Sequence, residues 1–73
     1  MAYEIMHPNP SILETKPLDA NDVIGYLEDL GWKPYAVSVD NVRGSVKVFF
    51  TKELASEEKR KLEEHVLEYF KRR

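Results

Sequence analysis

The sequence predicts a small α+β domain in which two or three antiparallel strands carry two helices on one face, in the order (β)-α-β-β-α. Three observations support this fold class. Apolar residues recur with a helical period over about residues 19–30 and again over about 56–71, and two segments between them, 35–40 and 45–51, alternate with a period of two. Helices and a hairpin that each have one apolar face pack most economically as two layers.

Composition limits the classes of protein that the chain can belong to. Its 73 residues suit a single domain, 1–73, and 42% hydrophobic with 33% charged residues is a globular composition. The absence of cysteine excludes disulfides, thiolate metal sites and cysteine catalysis. Because no apolar stretch reaches about 20 residues and the N-terminus lacks the pattern of a signal peptide, we expect a cytoplasmic protein without membrane contact.

Residues 1–17 form an extended N-terminal segment with two possible roles. Tyr3 and Ile5 alternate with Ala2, Glu4 and Met6 as in a short strand, and Pro8 and Pro10 end any such ladder. Ile12 and Leu13 can anchor an extended connector to the core. This segment could therefore add a third strand at the edge of the sheet; otherwise a second subunit must cover the sheet, since two strands alone are rarely stable.

The first helix is predicted at about residues 19–30. Asp19 can accept hydrogen bonds from the amides of the first turn, and Gly31 can adopt the left-handed conformation that ends many helices. The predicted core face consists of residues at helical spacing: Ala20, Val23, Ile24, Leu27 and Leu30.

The register of the predicted hairpin follows from its apolar pattern. A loop over residues 41–44, with Gly44 at a positive-φ position, aligns three apolar pairs on one face. These pairs are Val39 with Val46, Val37 with Val48, and Tyr35 with Phe50.

The last helix is predicted at about residues 56–71, with Ser56 as its N-cap. Its apolar stripe consists of Leu62, Val66, Tyr69 and Phe70, flanked by His65 and Leu67. The cations that end the chain in EYFKRR complement the negative end of the helix dipole, so this motif is expected to be a normal helix end with two core aromatics.

The second face of the hairpin is the candidate interface. It carries Ala36, Ser38, Lys47, Phe49 and Thr51, so that Phe49 would be exposed to solvent unless a partner covers it. This pattern favours a small non-enzymatic interaction module that forms a homodimer or binds a protein partner.

A nucleic-acid-binding regulator is the alternative function. Six residues could contact phosphates: Arg43, Lys47, Lys52, Lys71, Arg72 and Arg73. Residues 1–42 contain seven acids and two lysines, whereas residues 43–73 contain nine bases and six acids, so the two halves could equally well pair with each other. A pI near 5.6 and the lack of a GXXG clamp, an aromatic RNP pattern or a Cys/His finger weaken the nucleic-acid hypothesis.

No pattern in the sequence indicates catalysis. His7 and His65 are the only histidines and lack the spacing of metal ligands, the serines have no nucleophile context, and the three glycines do not form a phosphate-binding loop. We therefore expect no enzymatic activity, no metal, no cofactor and no small-molecule substrate.

Overall fold

A three-stranded antiparallel sheet with helices on one face forms the fold of residues 1–72, the part of the chain that this computed structural model describes. The elements in chain order are β1 (Ala2–Met6), α1 (Ile12–Thr15), α2 (Ala20–Asp29), β2 (Ala36–Asp40), β3 (Ser45–Phe49) and α3 (Ser56–Arg72). The strand order is β1-β3-β2, with β3 in the centre. The predicted α+β class, both long helices and the hairpin are confirmed.

The N-terminal segment forms the third strand. β1 pairs antiparallel with β3, so that Tyr3 lies opposite Val48 and Ile5 opposite Val46. The added strand widens the sheet but cannot cover either of its faces. The helices pack on the side of Ile5 and Val46, and the opposite side remains open.

The hairpin register is confirmed within the strands and wrong at its open end. Val37 pairs with Val48 and Val39 with Val46, as predicted. The Tyr35 side chain, however, is 62% exposed instead of packing beside Phe50. The amide of Tyr35 donates to the carbonyl of Phe49 over 2.9 Å while Ala36 also lies opposite Phe49. Tyr35 and Ala36 are thus both opposite Phe49, as in a β-bulge, and this extra residue turns the Tyr35 side chain out of the core.

The core lies between the inner sheet face and the helices. The predicted stripe of α3 is buried, and Val23 and Leu27 are buried on α2. Leu30, predicted to be in the core, is 46% exposed because it is the C-cap, where the chain leaves the helix. Tyr26 packs against the core instead, and its hydroxyl donates to the carbonyl of His65 over 2.8 Å.

The connector between β1 and α2 contains one helical turn, α1, and is not fully extended. The amide of Lys16 donates to the carbonyl of Ile12 over 2.8 Å, and the Thr15 hydroxyl donates to the same oxygen over 3.0 Å. This turn buries the predicted anchor Leu13, which is only 2% exposed.

The helix ends determine where the chain turns. Asp19 caps α2 as predicted, accepting from the amide of Asn21 over 2.8 Å. α3 begins differently: Ser56 is its first helical residue, and Ala55 is the N-cap, since the amide of Lys59 donates to its carbonyl. The Glu58 carboxylate accepts from the Ala55 amide over 3.0 Å, which is one half of a capping box.

Candidate interaction surface

The outer sheet face is the side of the sheet that no helix covers. It consists of Ala2, Glu4 and Met6 of β1, Ala36, Ser38 and Asp40 of β2, and Ser45, Lys47 and Phe49 of β3. Four of the five residues predicted as the interface, Ala36, Ser38, Lys47 and Phe49, therefore share one surface. Thr51 follows the end of β3 and lies elsewhere.

Phe49 is the apolar centre of the outer sheet face. Its direct neighbours across the sheet are Ala2 on β1 and Ala36 on β2, whose methyl groups are too short to cover the ring. The exposed Tyr35 ring adds to this patch, with its centroid 6.0 Å from that of Phe49. The result is an aromatic pair flanked by small residues, in which Phe49 is half-buried and Tyr35 is exposed.

Charges of both signs lie next to this patch. Lys47 is directly opposite Glu4 on one side and Ser38 on the other. Glu4 forms an ion pair with Arg43, with Oε1 and Nη2 separated by 3.3 Å. Asp40 lies at the far end of the same face, where its Oδ1 accepts from the amides of the turn. Because acids and bases are mixed, the outer sheet face has no strong potential of one sign.

A cleft of about 350 Å³ lies beside the end of β3, and we call it the Trp32 cleft. Its lining includes Trp32, Lys33, Phe50, Thr51, Lys52 and Glu58. The sequence reasoning missed it, although the aromatic residue just after the Gly31 helix end could have drawn attention to this corner.

The structure separates the cations proposed for nucleic-acid binding. Lys71 lines a smaller cleft with His7 and Lys16, at the end of β1 where His7 bonds to the β2–β3 turn. Lys52 lies at the opposite end of β3, five strand residues or roughly 16 Å away. Arg43 pairs with Glu4, as described above. These cations therefore do not form one basic patch.

The EYFKRR motif has the predicted character of a helix end. Tyr69 and Phe70 are buried, and the Arg72 guanidinium lies 5.5 Å from the centroid of the Tyr26 ring. Arg73, the last of the proposed phosphate contacts, lies outside the described residues. The aromatics of this motif therefore belong to the core and do not form a stacking platform.

Within residues 1–72, no group of three or more His, Cys, Asp or Glu side chains is arranged to hold a metal ion. In the same residues, no helix has the length and apolar character needed to cross a membrane. Comparison with protein-family models, curated proteins and solved structures finds no match to this chain.

Proposed function

We propose that this protein is a small non-enzymatic interaction module that forms a homodimer through the outer sheet face. The observation that carries this proposal is the position of Phe49, an aromatic ring on an uncovered sheet face with alanines as both of its cross-strand neighbours. Small neighbours let a second flat surface approach the ring closely. Because Phe49 is already half-buried, completing its burial would contribute less than the roughly 1.5–3 kcal/mol of a fully exposed side chain.

The pattern of charges favours a second copy as the partner. A two-fold axis must bring the same surface to both sides of the interface. An axis through Lys47 would oppose two ammonium groups, whereas an axis between Lys47 and Phe49 places each ammonium over the partner's ring. That arrangement is a cation–π contact. Glu4, opposite Lys47 on β1, partly offsets the positive potential that the two lysines bring to the interface. The outer sheet face is thus complementary to itself in one specific register.

The size of the face predicts a weak dimer. Three strands about 4.8 Å apart and 17 Å long give a flat area of roughly 200 Å², well below the ~800 Å² per partner of a standard interface. Tyr35 and Met6, both exposed, enlarge the contact at its two ends. We therefore expect a dissociation constant in the micromolar range, about 10 µM.

The test is the solution mass, measured by light scattering between about 1 µM and 1 mM protein at low and high salt. We expect a monomer–dimer equilibrium that persists in 1 M salt, where the Debye length is only about 3 Å. Phe49→Thr retains a strand-forming residue but removes the ring, and we expect it to weaken the dimer more than tenfold. Val42→Thr is the matched control, because Val42 is 80% exposed but lies in the turn.

A charge reversal tests the register of the dimer. Lys47→Glu places a third acid on the face and removes the cation–π contact, so we expect at least a tenfold weaker dimer. Lys61→Glu makes the same charge change on the exposed side of α3 and should leave the dimer unchanged. A chain that stays monomeric up to 1 mM, or a dimer that survives Phe49→Thr, would contradict the proposal.

Two other outcomes would favour different functions. A dimer that dissociates in high salt would indicate pairing between the acidic and basic halves of the chain instead of an apolar interface. A monomer that binds a single-stranded oligonucleotide with a steep salt dependence would favour the nucleic-acid-binding regulator. We also propose a cytoplasmic location, which is supported by the absence of cysteine, since disulfides are typical of small secreted domains.

A further inference from the structure

The Trp32 cleft is separate from the outer sheet face and has a different chemistry. Its position is set by the end of α2, where Gly31 has φ of +94°. The amide of Trp32 donates to the carbonyl of Leu27 and the amide of Gly31 to that of Glu28, both over 3.0 Å, which is a Schellman motif. This cap places Trp32 beside the segment that follows β3.

The Trp32 ring is held rigidly from behind. Its Nε1 donates to Nδ1 of His65 over 2.9 Å, and its ring centroid lies 6.0 Å from those of His65 and Phe50. Because the indole N–H already has a partner and the side chain is half-buried, the accessible part of the ring presents an apolar surface to the cleft. A fixed aromatic surface of this kind loses little entropy when a planar ring stacks on it.

Polar groups surround this surface. Lys33 and Lys52 are exposed, line the cleft, and form no ion pair within residues 1–72. Oε1 of Glu58 accepts a hydrogen bond from the Ala55 amide, and Oε2 has no hydrogen-bond partner within the same residues. The Thr51 hydroxyl also has no hydrogen-bond partner there. The cleft thus combines an aromatic wall, two cations, a carboxylate acceptor and a free hydroxyl.

We infer that the Trp32 cleft binds a nucleoside monophosphate unit. The base would stack on Trp32, the phosphate would interact with Lys33 and Lys52, and Glu58 would accept from an amino or hydroxyl group of the base or ribose. About 350 Å³ is within the range of small-molecule sites and larger than a simple aromatic acid needs. A free nucleotide and the phosphorylated end of a nucleic-acid strand offer the same chemistry.

Trp32 is the only tryptophan, so its fluorescence reports directly on the cleft. Excitation at about 295 nm avoids absorption by adenine. We expect adenosine 5′-monophosphate to quench the emission saturably, with a dissociation constant of roughly 10–100 µM. Adenosine lacks the anion and inorganic phosphate lacks the ring, so each should bind at least fivefold more weakly. A 5′-phosphorylated tetra-adenylate that binds more tightly than the monophosphate would identify a strand end as the source.

Substitutions at the exposed lysines test the site without disturbing the core. The double variant Lys33→Gln, Lys52→Gln should weaken binding of the monophosphate at least fivefold, whereas Lys16→Gln, Lys61→Gln removes the same charge elsewhere and should change it less than twofold. Equal binding of monophosphate and adenosine, or no effect of the double variant, would overturn the inference. Phe49→Thr should bind the nucleotide normally, which separates this result from the dimer proposal.

Discussion

Gly44 is required in the β2–β3 turn by two independent constraints. Its φ is +79°, in the left-handed region that side chains rarely adopt, and its amide donates to the carbonyl of Asp40 over 2.8 Å. A Cβ at this position would lie 2.5 Å from Cα of Pro10, inside van der Waals contact with backbone. The sequence predicted the positive φ, but the close approach of Pro10 is a tertiary contact that no local pattern reveals.

The same substitution should therefore have opposite effects at two glycines. Gly44→Ala combines backbone strain with a backbone clash, so we expect it to lower the free energy of unfolding by at least ~2 kcal/mol. Gly25 lies inside α2, and a Cβ there would meet nothing within 4 Å. Gly25→Ala should raise the free energy of unfolding by about 0.5–1 kcal/mol, because alanine is the better helix former. Urea denaturation followed by circular dichroism measures both.

The Gly25 variant also has a second readout. Light scattering on Gly25→Ala should give the same dimer affinity as the unchanged chain, because Gly25 is on α2, and the helices pack on the inner side of the sheet. A destabilised Gly25→Ala would contradict the expected gain in helix stability, whereas a weaker dimer would show that the glycine admits a partner at this helix.

At the scale of elements, the β2–β3 turn is the point where distant segments join. The Asn41 side chain accepts from the amide of Leu18 over 2.9 Å and donates to its carbonyl over 3.3 Å, so it holds the residue that precedes α2. His7, just after β1, donates its amide to the carbonyl of Gly44 over 2.8 Å. The turn therefore connects the sheet to the start of the helical layer.

Removal of the Asn41 side chain should lower the free energy of unfolding by more than an ordinary surface substitution does. Asn41→Ala leaves both backbone groups of the buried Leu18 without this partner, so we expect a loss of about 1–3 kcal/mol in the free energy of unfolding. Asn21→Ala is the control, since Asn21 is exposed in α2 and its side chain makes no hydrogen bond within residues 1–72. A chemical denaturation curve for Asn41→Ala that overlays the Asn21→Ala curve would contradict this role.

The elements that sequence patterns predicted correctly are those governed by local periodicity. The face of α3 and the Val37–Val48 and Val39–Val46 pairs follow from spacing alone, because one face of each element must be buried. Tyr35 was assigned wrongly because a bulge breaks the two-residue period, a feature of hydrogen bonding with Phe49 that alternation cannot show.

Of the two candidate sites, one follows from local periodicity and the other depends on tertiary packing. The outer sheet face was predictable, since strand alternation places Lys47 and Phe49 on the side opposite the valines. The Trp32 cleft was not, because it joins the end of α2 to the segment between β3 and α3, which are far apart in sequence. A site of this kind can be predicted only when the packing of the helices against the sheet is known.

At the scale of the whole molecule, one sheet separates a face that the helices cover from a face that they leave uncovered. The inner face holds the helices and has the core residues Val46 and Val48 at 0% exposure, whereas the outer face has only half-buried or exposed side chains at Lys47 and Phe49. A 73-residue chain without disulfides has a small core, with an expected stability of only roughly 3–5 kcal/mol. The free energy gained by burying the outer sheet face in a dimer would therefore be a large fraction of the total free energy of unfolding.

The proposed dimer would make the unfolding midpoint depend on protein concentration. If the dimer has a dissociation constant near 10 µM, about 20 µM of the chain is still free monomer at 100 µM total, so raising the protein from about 1 to 100 µM stabilises the folded state by roughly 0.8 kcal/mol. With a urea m-value of about 1 kcal/mol/M for a domain of this size, the midpoint should rise by roughly 0.8 M. Phe49→Thr should remove most of this dependence, and Val42→Thr should retain it. A midpoint for the unchanged chain that is constant over this range would mean that association contributes nothing to the stability of the fold, which would contradict the proposed dimer.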